Sequence, residues 1–309
     1  MVFSTRSWHF QWWMYLRRIT MALVVALGTR AQSRSAFPLP APEAAEPPVE
    51  FVCPMDPDVR SVTSGKCKRC GMALVAGIPD QVEYPVELRL SPVAVKPGSK
   101  VQLAFSIRDP KTGQRVTAFQ MVHTKLFHMF IVSQDMKFFV HDHPVLGEDS
   151  VFRFVTVFPK PGMYRILSDF YPRGGIPQLI AKSVIVSGGP ITAGTHLTAD
   201  VEPKKTENMT VSLTMDPPVP IAGMKTLLFF SLAPADGLEQ YLGAWGHMLA
   251  ASSDLVDLIH THPFLADGGP KAQFNLIFPR PGVYRVWVQF QRQGVVNTAI
   301  FDVPVSELK

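Results

Sequence analysis

The stretch "HMFIVSQDMKFFVHDHP", residues 128–144, returns as "HMLAASSDLVDLIHTHP", residues 247–263. Seven of the seventeen positions are identical, all three histidines among them. Further along, "FPKPGMYRI" (158–166) is answered by "FPRPGVYRV" (278–286), and the offset moves only from 119 to 120 residues. Self-similarity at a fixed period marks a duplicated structural unit. Residues 83–187 and 201–305 are therefore read as two copies of one domain. The segment 188–200, "GGPITAGTHLTAD", joins them as a linker.

Each copy reads as β. Short β-branched and aromatic runs recur between turn signals, as in "VELRL", "KVQLAFSI", "VFRFVTVF" and "MYRIL". "DPKTGQ" (109–114) is a turn between two of them. Helical periodicity is absent outside the N-terminal leader. Several short strands per hundred residues predict a mainly β protein whose two repeats are tandem β-sandwiches. Tyr164 and Tyr284, in the Pro-Gly-x-Tyr strings, are expected to be corner residues whose hydroxyls bond back to the backbone.

The histidines follow the repeat. Each copy carries His-x12-His-x-His: His128, His141 and His143, then His247, His260 and His262. The last two of each set share a strand face, because side chains alternate with period two. A hairpin turning at Gln134-Asp135, and its equivalent at Ser253-Asp254, would set His128 across from His141 and His247 across from His260. Cross-strand Cβ atoms lie about 4.5–5.5 Å apart, so three imidazoles would converge on a Zn(II) or Cu(II) site with an open position. The competing reading is a polar hairpin edge without metal.

Residues around the triplets are weighed the same way. His123 stands beside the first triplet, and its counterpart in the second repeat is Leu242. Met121 is a further soft donor for a Cu(I) site there. Met129 and Met248 follow the first histidine of each set and so face the opposite side, towards the core. Asp169, in "SDFYP", has no clear counterpart in "VQFQR" of the second repeat. On this reading the first repeat is the richer site and the second the degenerate one.

All three cysteines lie in "FVCPMDPDVRSVTSGKCKRCGM", residues 51–72. An odd number cannot all pair within one chain. Cys67 and Cys70 have the C-x2-C spacing that lets two thiolates bind one metal, and Cys53 adds a third. Met55 and Met72 supply thioethers, so the set favours Cu(I), with zinc as the alternative. A zinc knuckle that only folds the segment, or a disulfide with one thiol over, are the other readings.

The string resembles the heavy-metal-binding domain, patterned Cys-Pro-Met-His-Pro followed by Pro-Gly-Lys-Cys-Pro-x-Cys-Gly-Met. Cys53-Pro54-Met55, Pro57, Gly65-Lys66-Cys67 and Cys70-Gly71-Met72 match it. Asp56 and Lys68 depart from it, standing where the family has His and Pro. That family accompanies bacterial copper and silver efflux proteins, so the resemblance implies a metal module over residues 51–79. On their H-M…H-x-H-P and F-P-x-P-G-x-Y-R strings, the repeats resemble the copper-associated, Ig-like or cupredoxin-like secreted domains found beside such modules.

The N-terminus reads as an export signal over residues 1–31. Arg6, Arg17 and Arg18 precede the apolar run "ITMALVVALG" (19–28), and small residues follow. The run is short for a membrane span, which takes roughly 20 residues; the segment is either cleaved or kept as an anchor. Residues 32–50 form a Pro/Ala-rich linker. The leader holds four arginines and no acid, which leaves 26 basic against 25 acidic residues in the rest. Nothing in that balance points to nucleic acid.

No nucleophile motif or phosphate loop stands out, and no cysteine after residue 70 is available for a blue-copper centre. The expected function is therefore an exported, periplasmic or extracellular binder of copper or a similar metal. It would work with an efflux system or membrane transporter component, without catalysis of its own. Two other readings stay open: a secreted Ig-like interaction protein with a structural zinc knuckle, and a metal-dependent enzyme using a three-histidine site.

Overall fold

Alternation drives the strands. In "KVQLAFSI" every second residue from Val101 is apolar, and Val101, Leu103, Phe105 and Ile107 are all fully buried. The computed structural model describes residues 50–52, 60–66, 74–77, 82–173, 177–191, 195–264 and 266–308. Among these there are strands and turns and no α-helix. The expected leader (1–31), Cys53, Met55, Cys67, Cys70, Met72 and most of the linker 32–50 lie outside them.

The module segment contributes β1 (Glu50–Val52), β2 (Arg60–Ser61) and β3 (Val75–Gly77), antiparallel in the order β2-β1-β3. The first repeat contributes β4 (Val86–Ser91), β5 (Lys100–Ile107), β6 (Phe119–Gln120), β7 (Phe127–Ser133), β8 (Phe139–Asp142), β9 (Val145–Leu146), β10 (Phe152–Val157), β11 (Gly162–Pro172) and β12 (Gln178–Val186). The second contributes β13 (Lys204–Lys205), β14 (Thr210–Asp216), β15 (Lys225–Ala233), β16 (Leu238–Glu239), β17 (His247–Ser252), β18 (Leu258–Thr261), β19 (Lys271–Ile277), β20 (Gly282–Arg292) and β21 (Val295–Val305).

Each repeat is a pair of sheets. In the first, β4-β5-β10-β9 faces β12-β11-β7-β8, with β6 also against β11. In the second, β13-β14-β15-β19 faces β16-β20-β17-β18, with β21 on the other flank of β20. Between the sheets of the first repeat, Leu103, Phe105 and Phe152 meet Phe127, Met129, Ile131 and Ile166. In the second, Val211, Leu228 and Phe230 meet Met248, Ala250, Val286 and Phe290. Met129 and Met248 thus lie in the cores, both fully buried.

The corner tyrosines hold the turns into β11 and β20. Tyr164 Oη donates to Lys160 O (2.9 Å) and accepts from Lys160 N (3.2 Å). Tyr284 Oη accepts from Arg280 N (3.2 Å) and donates to Asp257 Oδ2 (2.7 Å) instead. Gly162 and Gly282 open these strands at φ 123° and 135°, where a Cβ would be strained.

Every side chain of β7 and of β17 is buried, on both faces. A lone sandwich would leave alternate ones in water. The outer face of each long sheet is covered by the other repeat. Phe130, Val132, Met136 and Leu167 pack with Leu249, Ala251, Leu255 and Trp287, which are their own equivalents at offsets of 119 and 120. Phe139 stacks on Trp287 at 4.9 Å and 8°. Arg285 grips Asp302 with two bonds of 2.7–2.8 Å and donates to Met136 O across the interface (3.1 Å).

Candidate metal centre

The histidines sit on that shared face. His128 and His247 are side chains of β7 and β17, and only 2 % and 1 % exposed. The hairpin register differs from the one the sequence suggests. Phe130 pairs with His141 and Met129 with Asp142, which sets His128 against His143; in the second repeat Leu249 pairs with His260. The cause is a four-residue loop in place of two. Ser133 N donates to Phe138 O (3.1 Å), Phe138 N to Ser133 Oγ (3.0 Å), and Met136 takes φ 54°. The shift is by two, so every histidine keeps its face.

Ahead of each first histidine lies a two-residue turn. Val122 and Lys125 exchange backbone bonds of 2.8 and 3.0 Å, with His123 and Thr124 at φ 45° and 65°. Tyr241 and Ala244 do the same around Leu242 and Gly243. These turns deliver a carbonyl to the ring six residues on. His128 Nε2 donates to Val122 O (3.0 Å), and His247 Nε2 to Tyr241 O (2.9 Å). A carbonyl can only accept, so Nε2 carries the proton and Nδ1 presents a lone pair.

His141 and His260 are fixed the opposite way round, each by the other repeat. His141 Nδ1 bonds Gln289 Oε1 (2.7 Å), whose amide nitrogen is held by Thr298 Oγ1 (3.1 Å). His260 Nδ1 bonds Asp169 Oδ2 (2.5 Å). His141, neutral at pH 7, therefore keeps an unshared pair on Nε2, and His260 is left with Nε2 as its unengaged nitrogen. Asp169 is paired in register with His128, and Gln289 with His247. Asp169 thus has a counterpart after all, Gln289, and it serves the second repeat's triplet. This corrects the reading of the second repeat as the degenerate one: the ligand nitrogens of its three histidines lie within 4.8 Å of one another.

The ring nitrogens converge. His128 Nδ1 lies 3.3 Å from His141 Nε2 and 3.2 Å from His143 Nε2; His247 Nδ1 lies 3.0 Å from His262 Nε2. The contact from His128 Nδ1 to His141 Nε2 sets two acceptors face to face, which a cation between them would relieve. Nitrogens around a tetrahedral ion at 2.0–2.1 Å are about 3.3 Å apart. Ligand nitrogens of His128, His141 and His247 lie within 4.8 Å of one another, as do those of His247, His260 and His262. His260 Nε2 is buried without a partner.

Burial is the main force on the charges. It pushes His128 down to about 4, His141 to about 2 and His143 and His247 to about 3, and lowers His262 and His123 as well. These rings are neutral at pH 7, the state in which imidazole binds metals. Phe130 walls the centre, stacked on His141 at 4.3 Å and near His260 at 4.7 Å. His123 lies on the face of His262 at 3.9 Å. Met121 is 67 % exposed beside the turn. Imidazole donors in this number suit zinc, copper, iron or nickel.

Sequence reasoning missed Gln289 and the two turn carbonyls, those of Val122 and Tyr241. Set position by position, "SDFYP" and "VQFQR" pair Asp169 with Gln289, and that polar pairing was the signal for it.

The chain belongs to the family described as Domain of unknown function (DUF8832), whose model matches it twice, at residues 80–186 and 204–307. The model described as Heavy metal binding domain matches residues 51–76, which supports metal binding. None of the curated proteins compared matches the chain. Among solved structures, it is similar to the Escherichia coli adhesin FdeC, at 13 % identity over 72 % of this chain and 64 % of that one, with a TM-score of 0.25. A putative membrane anchored protein from Corynebacterium diphtheriae aligns at 13 % identity over 71 % and 57 %, with a TM-score of 0.23. The Yersinia pseudotuberculosis adhesin InvE aligns at 10 % over 72 % and 60 %, also at 0.23. The chain spans less than two thirds of each of these three.

Proposed function

We propose that the protein handles a soft or borderline metal, copper foremost, outside the cytoplasm. It would bind the metal at the cysteine module and at the histidine centre between the repeats, for sequestration or delivery to an efflux system. The observation that carries this reading is the set of ring nitrogens turned inward by acceptors on the far side of four rings. Neutral, buried imidazoles held in one tautomer are preorganised ligands, with outer partners fixing the rings as metal sites require. The match of residues 51–76 to a heavy-metal model supports reading the cysteines there as a second donor set of another chemistry. The apolar run after Arg17-Arg18 supports export. Binding rather than turnover is favoured because Asp169, the acid hydrogen-bonded at the centre, is engaged with His260 and is not free to act as a base.

The test is an anaerobic titration of the full chain with Cu(I) and with Zn(II) against a chromophoric chelator. A Cys53/Cys67/Cys70→Ala variant should lose one class of site, and a His128→Ala/His247→Ala variant the other. Uptake unchanged in both variants would sink the proposal.

A further inference from the structure

The two triplets are not alike in what surrounds them. The contacts of 3.0–3.3 Å between imidazole nitrogens, among the described residues, all stay within a repeat. In the first triplet His128 Nδ1 is this close to the nitrogens of both His141 and His143, and in the second the ligand nitrogens of His247, His260 and His262 all lie within 4.8 Å of one another; His247 lies within the same distance of His128 and His141. The orienting groups differ: a carboxylate, Asp169, fixes His260, whereas a neutral amide, Gln289, fixes His141. A carboxylate behind a ligand imidazole raises its basicity and offsets the charge of a bound cation. Lys125 bears on His143 as a positive charge, and its counterpart in the second repeat is Ala244. Asp142, the acid next to His143, accepts from the His143 backbone N–H at 2.8 Å. Finally, His260 Nε2 has no partner at all, and its side chain is 1 % exposed.

Resting on the metal-centre reading above, we propose that the centre takes two metal ions, one per triplet. Asp169 makes the site of His247, His260 and His262 the tighter of the two. Asp169 is a positioning residue supplied by one repeat to the ligand set of the other.

The experiment titrates Zn(II) into full chain carrying Cys53/Cys67/Cys70→Ala, which leaves the histidine centre alone. Two ions per chain are expected, the first bound at least tenfold more tightly. Asp169→Asn should weaken the tighter step by about 10–100-fold, the range for an outer-sphere partner, with the weaker step unchanged and the metal-free melting midpoint close to the parent's. Gln289→Glu, the reverse exchange, should tighten the weaker step. Asp169→Glu should restore much of what Asn removes. One ion per chain, two equal sites, or steps unmoved by both Asp169→Asn and Gln289→Glu would overturn the inference and leave the metal centre standing. Zn(II) uptake that ignores His128→Ala/His247→Ala would overturn the centre itself.

Discussion

At the scale of single residues, parity along a strand decides most roles. Met129 and His128 are neighbours in sequence, yet one lies in a sandwich core and the other in the centre. That division is legible in the sequence, because period-two alternation needs no partner to be known. Met129→Ala should therefore cost about 2–5 kcal/mol of stability, the usual range for emptying a buried methionine site, and leave metal uptake intact. Urea unfolding beside a metal titration checks it; lost uptake in a folded variant would make Met129 a ligand. Asp169 stands out in the sequence, but its role was not legible. Its partner His260 lies 91 residues away in the other repeat, and no local pattern announces a contact across two domains.

At the scale of elements, repetition made the strands and their order readable, but loop length misled. A two-residue and a four-residue hairpin loop share the same apolar alternation, so only the backbone bonds of Ser133 and Phe138 distinguish them. The corner tyrosines show two versions of one device. Tyr164 bonds backbone groups alone, while Tyr284 also donates to Asp257, a carboxylate held by Arg280 at 2.8 Å. Burial, followed by the Asp257 hydrogen bond, pushes the Tyr284 hydroxyl up to about 12. Tyr164→Phe should cost about 0.5–1.5 kcal/mol, and Tyr284→Phe about 1.5–3 kcal/mol, because hydrogen bonds to charged groups are the stronger kind. Paired denaturant curves would test the order; equal losses would mean that Asp257 finds full compensation in Arg280.

At the scale of the whole molecule, the depressed histidines make metal-free stability depend on pH. Their folded values lie below the ordinary value near 6.5: about 4 for His128, and about 3 for His143 and His247. Above 6.5 both states hold these rings neutral. Below it the unfolded chain takes up protons that the folded one refuses, so stability falls from about pH 6.5 towards 3. Melting of chelator-treated protein should drop across that window, more steeply than for a His128→Ala/His247→Ala variant; parallel profiles would contradict it. The packing between the repeats has a wider consequence. Asp169 reaches from one repeat to His260 in the other, Gln289 reaches back to His141, and the flanking apolar residues of both repeats share one cluster of equivalent positions. This is the geometry of an isologous two-fold dimer. In a dimer of identical chains, one codon would write both positions 169 and 289, and the two halves could differ in nothing. Joining them in a single polypeptide lifts that constraint, so Asp can stand opposite Gln, Lys125 opposite Ala244 and His123 opposite Leu242. Covalent linkage is what allows a near-symmetric scaffold to keep two unlike sites.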